Sequence, residues 1–287
     1  MDILSVKGFE DYSLLDSGNG KRLERFGKYI VSRPDPQAIW MPKKPQSYWE
    51  NADAIYVQTD GRGGWSNKNA VPAKWPVKYK NLSFYCKLTP FKHTGVFPEQ
   101  SVNWDFIQRK IAEQDKQQNI LNLFGYTGVA SLAAAASGAK VTHLDASKPS
   151  ISWAKENQKV SGLLDKPIRW ILDDAAKFVQ REIKRGVRYD GIIMDPPVYG
   201  HGPEGEIWDF NYSFPKLIEL CNQVLSDTPI FVIVNAYAIS ASSIMLSNVF
   251  SDYFRELGGK TEYGELALEE QDSNRLLSTG IFARWSK

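Results

Sequence analysis

Cysteine is nearly missing from this chain: Cys86 and Cys221 are the only two among 287 residues. They share no metal-ligand spacing and can form one bridge at most, so neither a disulfide scaffold nor a thiolate metal site is expected. The simple reading is two reduced thiols in a cytoplasmic protein. Long apolar runs are absent too. Nothing reaches the ~18 apolar residues of a membrane-spanning helix. The opening Met1-Asp-Ile-Leu-Ser-Val-Lys7 lacks the charged region and apolar core of a secretory signal. Net charge is only +2, so the whole chain does not read as a nucleic-acid binder. The dinucleotide fingerprint G-x-G-x-x-G does not occur. There is no internal repeat, no low-complexity tract and no metal-binding cluster.

What is present is organised around Asn119 to Asp145. Ile120 to Phe124 is a short apolar run of strand length. Gly125 and Gly128 punctuate a turn, and Val129 to Ser137 is alanine-rich and favours a helix. Gly138 stands where a helix C-cap glycine belongs. Lys140 to Leu144 forms a second strand, and Asp145 follows about 20 residues after the first turn glycine, where βαβ nucleotide sites carry an acid for a ribose. With only Gly125-x-x-Gly128 in the turn, a pyrophosphate cradle is incomplete. An uncharged thioether-linked nucleoside fits better, and S-adenosyl-L-methionine is preferred to NAD. A βαβ unit with no ligand is the plain alternative.

The same rhythm continues downstream. Helices are expected over Pro149 to Ser161, Ala175 to Lys184, Phe214 to Leu225 and Ser240 to Leu257. Strands are expected over Ile168 to Leu172, Tyr189 to Met194, Ile230 to Ala236, Thr261 to Ala267 and Leu276 to Trp285. Such alternation implies an α/β fold, a Rossmann-like seven-stranded, mostly parallel sheet with helices on both faces. Ligands bind at the carboxyl ends of such strands. Gly125 to Gly128, Asp145, Asp174 and Asp195 all fall there.

Residues 1–90 read differently. Short strands at Tyr12 to Leu15, Lys21 to Phe26, Lys28 to Ser32 and Ala54 to Thr59 alternate with turns, one of them Asp60-Gly61, and Trp40 to Glu50 reads as a loop. Pro76 to Tyr79 and Leu82 to Leu88 suggest a hairpin about Lys80-Asn81. This part carries 14 Lys+Arg against 9 Asp+Glu. From Gly61 to Pro98 there are seven basic residues (Arg62, Lys68, Lys74, Lys78, Lys80, Lys87, Lys92) and no acid, interleaved with Trp65, Trp75, Tyr79, Phe84 and Tyr85. Cations neutralise phosphates and flat rings stack on bases, so the segment 61–98 is a candidate RNA contact. A solvated face over ordinary core aromatics is the alternative. The expected division is a β-rich accessory domain, 1–90, and a catalytic domain, 91–287. Pro98 and Glu99 suit the first turn of a helix running to Asp115.

These motifs resemble class I S-adenosylmethionine-dependent methyltransferases, and more closely the group that modifies large-subunit (23S) ribosomal RNA. The resemblance rests on Asn122-Leu-Phe-Gly-Tyr-Thr-Gly128, Asp145-Ala-Ser147, Trp153-Ala-x-Glu-Asn157, Asp174-Ala-x-x-Phe178, Asp195-Pro-Pro197 and Thr94-Gly-x-Phe-Pro-Glu-Gln100, over about residues 90 to 287. It implies that Phe124, Gly125, Tyr126, Thr127 and Gly128 face the methionine moiety. It places Asp145, followed by Ala146, at the ribose, and Asp174 rather than its neighbour Asp173 at the adenine amino group. Thr94 and Gln100 would close over the cofactor. Asp195, Pro196 and Pro197 would wall the methyl from its acceptor.

The acceptor is read by elimination. Cytosine C5 methylation needs a cysteine nucleophile, and neither the Asp195 loop nor the end of the fifth strand, Val234-Asn-Ala-Tyr-Ala-Ile-Ser240, holds one. A base nitrogen in ribosomal RNA is the expectation. Tyr199 comes one place later than the tyrosine of Asp/Asn-Pro-Pro-Tyr amino methylases, which leaves the acceptor atom open. Tyr199 can stack a flipped base or be a plain loop residue. Asn235 and Tyr237 are candidates on the acceptor side, and His201 reads as solvated. A protein or small-molecule methyltransferase, and a non-catalytic nucleic-acid-binding protein retaining the fold, stand as alternatives.

Overall fold

The computed structural model describes residues 1–59, 62–67, 71–237 and 241–287. Of the positions invoked above, Asp60, Gly61, Lys68, Ala238, Ile239 and Ser240 lie outside them. By Cα proximity the chain forms two compact units. One contains Met1–Leu4, Asn103–Leu266 and Thr279–Lys287, and the other contains Ser5–Val102 with Ala267–Ser278. Residues 91–102, expected to open the catalytic domain, thus group with the β-rich part.

In chain order, β1 (Asp2–Ser5) is followed by β2 (Tyr12–Gly18), β3 (Lys21–Phe26) and β4 (Tyr29–Pro34). Next come α1 (Gln46–Glu50), β5 (Ala54–Thr59), β6 (Arg62–Asn67), β7 (Trp75–Tyr79) and β8 (Leu82–Cys86). Strands β2 to β6 form one five-stranded sheet in sequential order, and β7 pairs with β8 alone. The β7–β8 turn holds Lys80 at φ +51°, as the expected Lys80-Asn81 turn requires. Strand β7 alternates buried Trp75, Val77 and Tyr79 with exposed Pro76 and Lys78. Phe84 is also buried. Three of the five aromatics expected to stack on bases are therefore core residues. The lysines Lys74, Lys78 and Lys80 remain on the solvent side.

The same unit holds a buried ionic knot. The guanidinium of Arg33 donates twice to Glu24, from Nη2 to Oε1 at 3.0 Å and from Nε to Oε2 at 2.5 Å. Tyr12 donates to Glu24 Oε1 at 2.9 Å. Arg22 lies 3.4 Å from Glu24. These cations overcome burial, which alone would raise the Glu24 carboxyl, and bring it down to about 2.

The other unit holds all or, for α2, β16 and β17, most of the remaining elements: α2 (Ser101–Ala112), β9 (Asn119–Leu123), α3 (Val129–Ala136), β10 (Lys140–Asp145), α4 (Lys148–Val160), β11 (Ile168–Leu172), α5 (Ala175–Lys184) and β12 (Gly191–Met194). It continues with β13 (Tyr199–His201), β14 (Ile207–Asp209), α6 (Phe210–Val224), β15 (Phe231–Ala236), α7 (Ser243–Phe254), β16 (Lys260–Glu269) and β17 (Leu276–Ser286). The main sheet runs β1-β16-β17-β15-β12-β9-β10-β11. It has eight strands where seven are expected, the additional one being β1 at the edge beside β16. Strands β11, β10, β9, β12 and β15 are parallel, and β17 is antiparallel to β15.

Burial explains the near-continuous apolar character of the central strands. Leu121, Leu123, Ile192, Met194, Val232 and Val234 pack with Phe178, Phe214, Leu217 and Phe250 of α5, α6 and α7. The alternate residues Ile120, Ile193, Phe231 and Ile233 pack with Phe106, Ile107 and Ala134 of α2 and α3. The strand order reverses between β9 and β12, so their carboxyl ends open a crevice at a topological switch point.

Candidate active site

Because β9, β10, β11 and β12 are parallel, their following loops leave from one edge of the sheet. That edge carries Phe124–Gly128, Asp145, Asp173–Asp174 and Asp195. The first loop is bent hard. Phe124 and Tyr126 have φ of +55° and +47°, unusual for residues with side chains, and Gly128 has +84°. Strain of this kind persists only where the surroundings impose it. Here Gly125 N–H donates to Leu144 O at 2.9 Å, Tyr126 N–H to Asp145 Oδ2 at 2.8 Å, and Gly128 N–H to Gly125 O at 2.9 Å. The side-chain amide of Asn157 in α4 donates to Thr127 O at 2.9 Å.

These bonds bear on the choice of ligand. Three amide donors of the glycine turn are spent within the fold, where a pyrophosphate cradle would point them at the ligand. Gly125 has no room for a side chain, since a Cβ would overlap the His143 ring. A Cβ on Gly128 would stand 2.8 Å from Ala154 Cβ. Both glycines are thus required by packing within the protein, and the turn aims none of these three amides at a phosphate. Asp145 is half-buried, and burial raises its carboxyl while the amides of Ser147 and Tyr126 oppose the shift. Each oxygen accepts one of those amides, Ser147 at 2.8 Å on Oδ1. A second lone pair on each remains for a pair of ligand hydroxyls. The residues present therefore fit the ribose of an S-adenosylmethionine-type nucleoside.

Beneath the turn lies a polar chain that no sequence motif signals. Asn122 Nδ2 donates to Ser131 Oγ at 2.9 Å, and Ser131 Oγ lies 3.0 Å from His143 Nδ1. His143 is fully buried, and desolvation lowers it from 6.5 to about 3, so the ring is neutral. Its Nε2 has no partner among the described residues.

Asp173 and Asp174 differ in how they are held. Asp173 is ion-paired with Arg181. Asp174 caps α5, its Oδ1 accepting Lys177 N–H at 2.9 Å, and its other oxygen has no hydrogen-bond partner among the described residues. Ala146 is half-buried beside Asp145. After β12, Asp195 is half-buried, Pro196 buried, Pro197 exposed and Tyr199 55% exposed. The glycine-containing stretch that follows, expected as a loop, is the hairpin β13–β14. His201 is exposed on it, its ring 5.3 Å from that of Tyr199. Asn235 is buried at the end of β15, accepting from Asn103 Nδ2 at 2.7 Å. Tyr237, just beyond β15, is half-buried. Thr94 and Gln100 belong to the other unit. Thr94 is buried with no partner for its Oγ1 among the described residues. Gln100 ends a 3-10 turn, Pro98–Gln100.

Both thiols are fully buried, and burial pushes both well above the usual thiol range. Cys221 lies against Met194 Sδ at 3.9 Å. Neither is poised as a nucleophile. No helix among the described residues is long and apolar enough to cross a membrane.

Comparison with known proteins agrees with this geometry. The pattern of one family, described as S-adenosylmethionine-dependent methyltransferase, matches residues 56–250. The chain is 44% identical to the SAM-dependent methyltransferase from Agrobacterium tumefaciens, whose crystal structure superposes with a TM-score of 0.96 over 100% of this chain and 93% of that one. A methyltransferase structure from Streptococcus mutans shares the fold at 18% identity (TM-score 0.72, 97% of this chain, 76% of that one). Among curated proteins, the ribosomal RNA large subunit methyltransferase K/L of Shewanella baltica OS155 is 32% identical over 154 residues, 53% of this chain and 21% of that protein. Its counterpart from Shewanella sp. MR-4 is 30% identical over 174 residues, 60% and 22% respectively. The chain thus spans about a fifth of the length of the curated relatives it matches. The matched span and the relative that is 44% identical along the chain agree with the bent glycine turn and the aspartate that ends β10: the chain belongs to the S-adenosylmethionine-dependent methyltransferase family.

Proposed function

We propose that this protein methylates a base nitrogen of large-subunit ribosomal RNA. The observation that carries the choice of atom is the burial of both thiols, which leaves no covalent route to a pyrimidine carbon. The relatives named as ribosomal RNA large subunit methyltransferases support the choice of RNA. S-adenosylmethionine, when bound, supplies a methyl already activated on a sulfonium. The protein's share of the work is then alignment of the acceptor and exclusion of water.

In this reading Asp145 accepts the two ribose hydroxyls, and the free oxygen of Asp174 accepts the adenine amino group. Asp195 accepts a hydrogen from the acceptor base and so turns a nitrogen lone pair toward the methyl. Pro196 and Pro197 bring no N–H groups and stiffen the wall beside it. Tyr199, exposed at that wall, offers a ring on which a displaced base can stack. The lysines beside β7 contribute to RNA affinity.

The test is transfer of labelled methyl from S-adenosylmethionine to ribosomal RNA from a strain lacking this gene. Wild-type RNA and an Asp195→Ala enzyme are the controls. Label only in RNA from the deletion strain, lost with Asp195→Ala, supports the reading and permits mapping of the base. An enzyme that binds S-adenosylhomocysteine yet leaves this RNA unlabelled overturns the RNA assignment and points to a protein or metabolite.

A further inference from the structure

The stretch after Asp195 is held in an unusual way. Pro196 and Pro197 have no amide hydrogens, so the backbone of these two residues can only accept hydrogen bonds. One anchor is visible: the indole N–H of Trp208 donates to Pro197 O at 2.6 Å. Trp208 sits in β14, opposite Gly200 of β13. Adjacent strand residues point to opposite faces, so Trp208 lies on the face away from Tyr199, His201 and Ile207. Burial agrees, with Trp208 7% exposed against 55% for Tyr199 and 69% for Ile207.

The inward ring reaches the cofactor turn. Its centroid is 4.8 Å from that of Phe124, with the planes tilted by 60°. Phe124 is the residue that turns the chain out of β9 at positive φ. One side chain therefore touches both halves of the reaction site. Its indole N–H bonds the acceptor wall, and its ring packs against Phe124 of the turn that approaches the cofactor.

We propose that Trp208 is a positioning residue for methyl transfer, fixing the Asp195–Pro197 wall relative to Phe124 so that acceptor and methyl are in line. The proposal rests on the assignment of Asp195–Pro197 as the acceptor wall. Misplacement by about 1 Å can lower a rate by roughly 100-fold, so an edge hydrogen bond is enough to matter. Trp208→Phe keeps an aromatic face and removes the N–H. Phe124→Leu breaks the same link from the other side.

Two measurements test it. In hydrogen exchange with S-adenosylhomocysteine as the probe, ligand should slow exchange in peptides covering both 120–130 and 195–210 of the wild-type protein. In Trp208→Phe the slowing should be confined to 120–130, with ligand affinity within about threefold of wild type. In transfer to deletion-strain ribosomal RNA, kcat should fall roughly 10- to 100-fold in Trp208→Phe, with little change in the KM for S-adenosylmethionine. A purely structural tryptophan would lower ligand affinity and thermal stability together and leave kcat of the folded fraction unchanged. That outcome, or ligand protection of 195–210 that survives Trp208→Phe, overturns the proposal. If Trp208→Phe does not fold, Phe124→Leu must lose protection at 195–210, and its retention there refutes the link. The exchange measurement needs no acceptor, so it decides the role of Trp208 even if ribosomal RNA is the wrong substrate.

Discussion

Acidification should loosen this protein through one buried side chain. His143 lies under the Phe124–Gly128 turn with no exposed surface, and desolvation holds it at about 3 against 6.5 when free. A histidine depressed in the folded state favours folding above its unfolded pKa. That contribution is lost as pH falls from about 6.5 toward 3, because the unfolded chain takes up a proton the folded chain refuses. Each pH unit in that window costs about 1.4 kcal/mol. Between pH 7.5 and pH 5 the loss attributable to His143 is about 2 kcal/mol, and across the whole window about 5 kcal/mol. The assay is urea denaturation of the wild type and of His143→Phe at a series of pH values. His93, lowered to about 4 by burial and nearby cations, titrates in both proteins and cancels in the comparison. The loss of the Ser131 hydrogen bond in the variant does not depend on pH in this range. Wild type should therefore lose about 2 kcal/mol more than His143→Phe on going to pH 5. Parallel pH dependence in the two proteins would show that the ring can protonate in place, and the argument for a neutral support under Gly125 would fail.

Three further outcomes are expected. Asp145→Asn replaces one acceptor oxygen by a donor that faces the backbone amides of Tyr126 or Ser147. Calorimetry should find S-adenosylhomocysteine bound roughly 10- to 100-fold more weakly, since hydrogen bonds to charged groups are worth about 1.5–3 kcal/mol. Gly128→Ala sets a Cβ 2.8 Å from Ala154 at φ +84°. It should destabilise by about 1–3 kcal/mol, read as a melting temperature lowered by several degrees. The double variant Cys86→Ala and Cys221→Ala should keep transfer activity within about threefold, because neither buried thiol is poised to react. Loss of turnover in a folded double variant would refute the nitrogen-acceptor reading.

How much of the fold is legible in the amino-acid sequence depends on how local the determinants are. The central strands and the glycine turn announce themselves because each is specified within a few residues. Strand β1 does not: Asp2–Ser5 has no neighbouring partner in sequence and pairs with β16, near the other end of the chain. Helix α1 is hidden by Pro45 and the preceding lysines, which read as loop. The β13–β14 hairpin is masked by Gly200, Gly202 and Gly205, and with it the inward aim of Trp208. In the basic segment, composition reveals the rings but not their direction. The strand period sends Trp75 and Tyr79 into the core. The twin acids 173 and 174 are separated by the position of Arg181, one helical stretch away, and by which of them caps α5.

The place of β17 in the sheet has a consequence for biosynthesis. It lies between β15 and β16, both of which precede it in the chain, so an interior lane of the sheet is filled only after its two neighbours have been made. Until it arrives, β15 presents an unpaired edge of Phe231, Val232, Ile233 and Val234, the kind of edge that recruits foreign strands. A nascent chain paused ahead of Leu276 is therefore a client for chaperones. A frameshift or early stop there would leave that interior lane empty. The lane closes only when Leu276–Ser286 pairs with Phe231–Ala236.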